Sequence, residues 1–177
     1  MVEFYYHDNQ DTKENFTQDH RGEPFDIKNL TSIGVIYRKV DTLDELNAIA
    51  EERNYRNRDE VKLSLDTFGG DKTAYNAKME QFYEEHYHED EEIRYIVEGE
   101  GYFDVRDQNE KWVRAKLFPK DLLILPAGIY HRFTLTEGAK YVHAMRLFKD
   151  EPKWEAINRS SGYESDIRTS YAQSVSS

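Results

Sequence analysis

The chain contains no cysteine, no run of lysine or arginine and no apolar stretch long enough to cross a bilayer. Without thiols there is no disulfide framework, no cysteine-based zinc finger, no cysteine-held iron–sulfur cluster and no cysteine nucleophile, so any metal must sit on imidazole nitrogen and carboxylate oxygen. The 24 Lys and Arg residues are scattered among 35 Asp and Glu, giving a formal charge of −11. That balance argues against non-specific binding to nucleic acid or to an anionic membrane face, and it favours a small-molecule or protein partner. The longest apolar stretch, Leu122 to Ile129, is broken by Pro126 and Gly128, so no membrane insertion is expected. Met1 to Asp8 lacks the basic and apolar regions of a secretory signal. A Ser-His-Asp arrangement, a phosphate loop and a nucleotide fingerprint are missing too. The expectation is a soluble intracellular protein. What is present is six histidines and 14% aromatic residues, with 13 Tyr, in 177 residues, enough for one sizeable core.

The first thirty residues are polar and read as an extended arm with at most one short strand. Thr42-Leu43-Asp44-Glu45 fits a capping box, and Leu43, Leu46, Ile49 and Ala50 follow at helical spacing, so a helix is expected over about 43–54. Val61 and Leu65 suggest a second short helix over Asp59 to Leu65. Beyond the Gly69-Gly70-Asp71 breaker, Tyr75, Met79, Phe82 and Tyr83 suggest a third, running to about Glu84. From residue 86 the period changes to two. Six β-rich runs start near Ile93, Gly101, Trp112, Leu122, Tyr130 and Tyr141, separated by turn clusters, and indicate an antiparallel barrel or sandwich. Ser160 to Ser177 is rich in Ser and poor in aliphatics and reads as a flexible polar tail behind a single domain of residues 1–159, whose helical part covers about 42–84 and whose β part covers about 86–148.

The informative segment is His86-Tyr87-His88-Glu89-Asp90-Glu91-Glu92-Ile93-Arg94. In extended chain, residues two apart face the same way, so His86 and His88 project together, and if the parity survives the acidic stretch Glu92, Arg94 and Ile96 share their side. Imidazoles and a carboxylate that converge are what a borderline divalent metal needs. In Ile129 to Leu135 the alternation puts Ile129, His131, Phe133 and Leu135 on one face, so His131 needs a partner that a metal would supply. Alone, a His-x-His in a charged loop is more often a solvated surface feature and a lone His on an apolar face a hydrogen-bonded core residue. The joint pattern of His-x-His, Glu four residues on, Gly99 and a later Pro-x-Gly-x-x-His shifts that balance. Arg94, always charged and of the same parity, is a candidate for stabilising anionic charge, against the alternative of an ion pair with the acidic run. Arg146 is a weaker one. His7 and His20 read as solvated, His143 as a packed or edge residue, and Trp112 and Trp154 as core or rim aromatics.

The joint pattern resembles the cupin family, whose first motif maps onto His86, His88, Glu92 and Gly99 and whose second maps onto Pro126, Gly128 and His131. The glycine that usually opens each motif is replaced, by Glu80 and Lys120, and Leu135 stands where the second motif often has Asn. Phe82 to His86, Glu92 to Ile96, Gly101 to Arg106, Leu125 to Phe133 and Ala144 to Phe148 narrow the resemblance to the acireductone dioxygenases, over roughly residues 75–158. That resemblance implies a mainly β, cupin-type antiparallel β-barrel (jelly roll) with N-terminal α-helices packed outside, and one Fe(2+) or Ni(2+) per chain on His86, His88, Glu92 and His131. It also implies an acireductone and O2 as substrates, in methionine salvage. Arg94 would stabilise enolate charge. Phe82, Ile96, Phe103, Phe133 and Arg146 would line the substrate pocket, the aromatics receiving a methylthio group. A monomer is expected, in the cytoplasm and also the nucleus, with room for secondary protein partners because eukaryotic relatives take on such roles. The alternatives are another cupin metalloenzyme, such as a different dioxygenase or a sugar isomerase, and a non-catalytic cupin binding module, which would have lost ligands that here are all present.

Overall fold

Six consecutive strands follow from the alternating segments: β6 (Glu92–Gly99), β7 (Gly101–Arg106), β8 (Trp112–Leu117), β9 (Asp121–Leu125), β10 (His131–Leu135) and β11 (Val142–Phe148). The computed structural model describes residues 1–149 and 155–176; Trp154 lies outside the described residues. Among the described residues, six further strands complete two antiparallel sheets: β1 (Glu3–His7), β2 (Arg21–Pro24), β3 (Ile36–Lys39), β4 (Asn57–Leu63), β5 (His86–Tyr87) and β12 (Ile157–Asn158). One sheet has the order β12-β5-β10-β7-β8-β1-β2 and the other β3-β9-β6-β11-β4. They face each other as a jelly roll of two separate sheets, not hydrogen-bonded into one closed cylinder. Between them lies the main core, with Phe103 and Val105 of β7, Val113 and Ala115 of β8, Leu123 and Leu125 of β9, and Ile96 of β6.

Among the described residues three α-helices accompany the sheets: α1 (Leu43–Glu52), α2 (Lys72–Tyr83) and α3 (Asp166–Ser176). The Thr42 hydroxyl caps α1 by accepting from Glu45 N–H, and the Glu45 carboxylate accepts from Asp41 N–H. Its Leu46 and Ala50 cover the outer face of the smaller sheet, against Ile93 and Tyr95 of β6 and Leu122 and Ile124 of β9. The Asp71 carboxylate caps α2 by accepting from Thr73 and Ala74 N–H. This helix is not simply external: Met79 enters the main core, and Phe82 meets Phe133 edge to face at 6.1 Å. No helix among the described residues is long and apolar enough to cross a membrane.

Three segments differ from the sequence expectation. The N-terminal arm is built into the larger sheet, because Val2, Phe4 and Tyr6 pack on the main core while Tyr5 and His7 point to the other face and are buried there. β1 accordingly pairs with β2 on one side and β8 on the other. Residues 59–65 are not helical: Val61 and Leu63 both line the cavity, Leu63 reaching the core, while β4 pairs along its whole length with β11. Finally, residues 160–176 are no featureless tail, since α3 docks through Tyr171, whose hydroxyl donates to Ile33 O at 2.8 Å.

A buried ion network joins the arm to the outer face of the larger sheet. Arg114 donates from Nε and Nη2 to the Asp104 carboxylate at 2.7 and 2.9 Å, and from Nη1 to the carbonyls of Gln18 and Asp19. Arg132 donates to the same carboxylate at 2.7 Å and lies over the Tyr83 and Trp112 rings. Asp104 and Arg114 are essentially inaccessible, so each depends on the other for the solvation that burial removes.

Candidate metal centre

Two turns aim the site. At Gly99 (φ +79) the chain reverses between β6 and β7, and a Cβ there would lie 2.1 Å from Tyr141 O, so only glycine fits. The first residue of β10, His131, is directly opposite His86 of β5, which brings the two rings to 4.5 Å between centroids. His88 follows β5, with its ring 5.1 Å from His86 and 5.3 Å from His131. One ligand atom from each of the three histidines lies within 4.8 Å of the others. After the bend at residues 89–90, β6 restores the parity: Glu92, Arg94 and Ile96 turn to the cavity, and Ile93 and Tyr95 to the core under α1.

The hydrogen bonds fix the tautomers. His86 Nδ1 lies 2.6 Å from Glu84 O, His131 Nδ1 3.0 Å from Ile129 O, and His88 Nδ1 3.2 Å from Glu155 O. A carbonyl oxygen only accepts, so each Nδ1 carries the proton, and in the neutral ring Nε2 is left as a lone pair. Glu92 Oε2 sits 2.7 Å from His131 Nε2 and 3.2 Å from His88 Nε2. Lone pairs on both sides at that distance need a proton or a cation between them. Backbone-anchored imidazoles beside a carboxylate are the donor set that borderline divalent ions take.

Electrostatics separate His86 from His88. Burial, reinforced by His131, pushes His86 down to about 3. Burial opposes charge on Glu92, but Arg94, His131 and His88 outweigh it and hold the carboxyl well below its usual range. His88 is raised, because Glu92 overcomes the effect of burial. Arg94 Nη2 lies 2.7 Å from Glu92 Oε1, so the ion pair with the acidic segment is made, at a residue that also faces the cavity. Across the strand pair Arg94 is in register with Arg146, and Arg146 donates from Nε and Nη2 to the Asp59 carboxylate at 2.7 and 2.5 Å.

All ten sequence-derived positions, His86, His88, Glu92, Arg94, Ile96, Phe82, Phe103, Phe133, His131 and Arg146, line one cavity of about 830 Å³. Phe133 stands between Phe82 and Phe103, 4.9 Å from the latter. The sequence reading missed Val61 and Leu63, which line the same cavity and whose alternation was the available signal. It also missed Lys78 and Gln81 of α2, for which a helical pattern carries no such signal.

His7 and His20 are buried, not solvated, and gather with Asp8 into a second group of possible donors. Their nitrogens are largely committed: His20 bonds Asp8 Oδ1 at 3.0 Å and Asn15 O at 2.8 Å, and His7 Nδ1 accepts from Asn9 N–H at 2.9 Å. His143 pairs with Glu60 at 3.1 Å on β11, and Trp112 is buried.

The ARD/ARD' family model matches residues 3–156. A relative from Candida albicans named acireductone dioxygenase is 66% identical over 176 residues, 99% of each chain. One of the same name from Saccharomyces cerevisiae is 47% identical over 174 residues, 97% of this chain and 96% of its own. Among solved structures, acireductone dioxygenase from Bacillus anthracis, with a cadmium ion in its active centre, superposes with a TM-score of 0.68 at 22% identity, covering 89% of this chain and 98% of that one. That likeness extends to the fold. By the family match and the fungal identities together, the chain belongs to the ARD/ARD' family.

Proposed function

We propose that this chain is a metal-dependent acireductone dioxygenase of methionine salvage. Its substrate is 1,2-dihydroxy-3-keto-5-methylthiopentene. With Fe(2+) and O2 the products are 4-methylthio-2-oxobutanoate and formate; with Ni(2+) they are methylthiopropionate, formate and carbon monoxide. One observation carries the reading: imidazoles whose Nδ1 protons are spent on backbone carbonyls gather around the Glu92 carboxylate, at the wall of a cavity with an aromatic lining.

His86, His88, His131 and Glu92 would hold one ion per chain, three neutral donors and one anionic, leaving a 2+ ion with a net charge near +1. Bound there, the ion supplies open positions and positive charge for the oxygens of an enediolate. Arg94, steadied by Glu92, keeps a permanent cation beside those oxygens and favours the electron-rich dianion that reacts with dioxygen. Arg146, held by Asp59, adds a second guanidinium along the same strand pair. Phe82, Phe103, Phe133 and Ile96 keep water from the other side of the cavity and suit a methylthio tail, since sulfur packs well on aromatic edges. Recognition of the anion is thus local and works against the negative charge of the whole chain.

The test is to strip the metal, reload with Fe(2+) or Ni(2+), and supply acireductone in air. Loss of the enediol absorbance with one O2 consumed per substrate, and carbon monoxide only from the nickel form, is the expected result. No turnover with either ion would sink the assignment. Identical products from both would sink the metal-dependent branching.

A further inference from the structure

Residues 157–176 lie beyond the segment matched by the family model, and they wrap the back of the histidine cluster. β12 pairs with β5, placing Asn158 opposite His86 and Ile157 opposite Tyr87. Arg159 N–H donates to Glu85 O at 2.9 Å, and its guanidinium is shared between Glu85 and Glu110. The chain then crosses Tyr87, whose hydroxyl accepts from Ser165 N–H at 3.0 Å and donates to Tyr163 O.

From there α3 closes on the loop between β9 and β10. Arg168 Nη1 donates to Gly128 O at 2.9 Å, and the guanidinium lies 4.0 Å from the centroid of the Tyr130 ring. The approach leaves no space: at Gly128 (φ +89) a Cβ would come within 2.9 Å of both Ile167 O and Tyr171 Cβ. The peptide held in this way is tied to two of the imidazoles. Gly128 N–H donates to His88 O at 2.9 Å, and the next carbonyl, Ile129 O, accepts the Nδ1 proton of His131. A shift of Gly128 therefore moves the backbone of His88 and the orienting acceptor of His131 together.

We infer that Arg168 is a positioning residue for the metal centre, through which α3 sets the orientation of His88 and His131 by fixing the Gly128 peptide. The inference rests on the metal site proposed above. Removing Arg168 leaves Gly128 O without its charged donor and takes from Tyr130 one of its two guanidinium partners, Arg159 remaining at 4.5 Å, so the loop relaxes and the imidazoles lose their aim. Groups that orient metal ligands from behind commonly change affinity tenfold or more.

The experiment titrates metal-stripped full-length protein with cobalt(II), reading the dissociation constant and the visible d–d spectrum, with melting of the metal-free protein in parallel. Arg168→Ala is expected to bind cobalt about tenfold more weakly with shifted d–d bands. Arg168→Lys, which keeps the charge but not the planar stacking, is expected to fall between it and wild type. Gln173→Ala, exposed on the same helix, should leave both readings unchanged. If Arg168→Ala does not fold, Arg168→Lys decides. A folded Arg168 variant with wild-type affinity and spectrum, even one with a lowered melting temperature, overturns the inference. A His131→Ala variant that binds cobalt as tightly as wild type overturns the metal site and this inference with it, so the two failures are told apart.

Discussion

His131 Nε2 lies 2.7 Å from Glu92 Oε2, joining the first residue of β10 in one sheet to the first residue of β6 in the other. An ion on these residues would therefore cross-link the two sheets. Replacing His131 or His86 by Ala is expected to weaken metal binding by more than about a hundredfold and to abolish turnover with it. Metal content by elemental analysis after dialysis is the check, and full occupancy with normal turnover in either variant would end the ligand assignment.

Arg94 touches Glu92 from the cavity side and is not itself a metal donor. Arg94→Ala should keep the ion and lower kcat by about a hundredfold, the scale of removing one preorganised charge from a reacting anion. Steady-state kinetics on metal-quantified protein measure this. An unchanged kcat would remove Arg94 from charge stabilisation and leave it as a partner of the Glu92 carboxylate.

Lys120 occupies the position where the cupin motif usually has glycine, and it adopts φ +76. Its backbone is held there by Lys120 N–H donating to Ile96 O and Lys120 O accepting from Val40 N–H. A side chain in that region of φ carries strain, so Lys120→Gly is expected to stabilise the fold by about 0.5–1 kcal/mol. Urea unfolding would show the midpoint rise, and a fall would mean that the lost side chain or the added chain entropy dominates.

His7 is buried and is pushed down to about 4, mainly by burial and then by Arg114. Its pKa in the folded chain thus lies below the unfolded value of 6.5. Between the two the unfolded state binds more protons, so the stabilisation is complete above about pH 6.5 and is lost as the pH falls towards 4. The loss should be on the order of 2–3 kcal/mol. Comparing wild type with His7→Phe in urea at pH 7, 5.5 and 4.5 isolates it from other titrating groups. Equal pH slopes in the two proteins would count against the assignment.

The parts of the molecule that could be read in the sequence are those with a local cause. The six strands from β6 to β11 carry period-two alternation with turn residues between them, and the α1 cap is written in Thr42. Of the four proposed donors, the shared side of His86 and His88 follows from extended-chain parity and the inward face of His131 from the alternation of Ile129 to Leu135, whereas joining them with Glu92 as one set rests on the family resemblance. What escaped depends on distant partners. Residues 59–65 place Val61 and Leu65 at helical spacing, and 57–63 become a strand because β11 offers them a full edge. His7 looks solvated until Asp104, Arg114 and Arg132 supply a buried ion network for that face. α3 has a Ser-rich sequence, and it is held by Tyr171 and Arg168 on backbone carbonyls that no pattern within the segment announces.

The order of these parts along the chain has a temporal consequence. All four donors lie between residues 86 and 131, whereas the strand and helix that bear on them from behind begin at residue 157. During synthesis the donors leave the ribosome first and their brace last. An ion captured by the growing chain would meet a looser cluster than the folded protein offers, and the geometry of the centre would tighten only as residues 157–176 close over Tyr87 and Gly128.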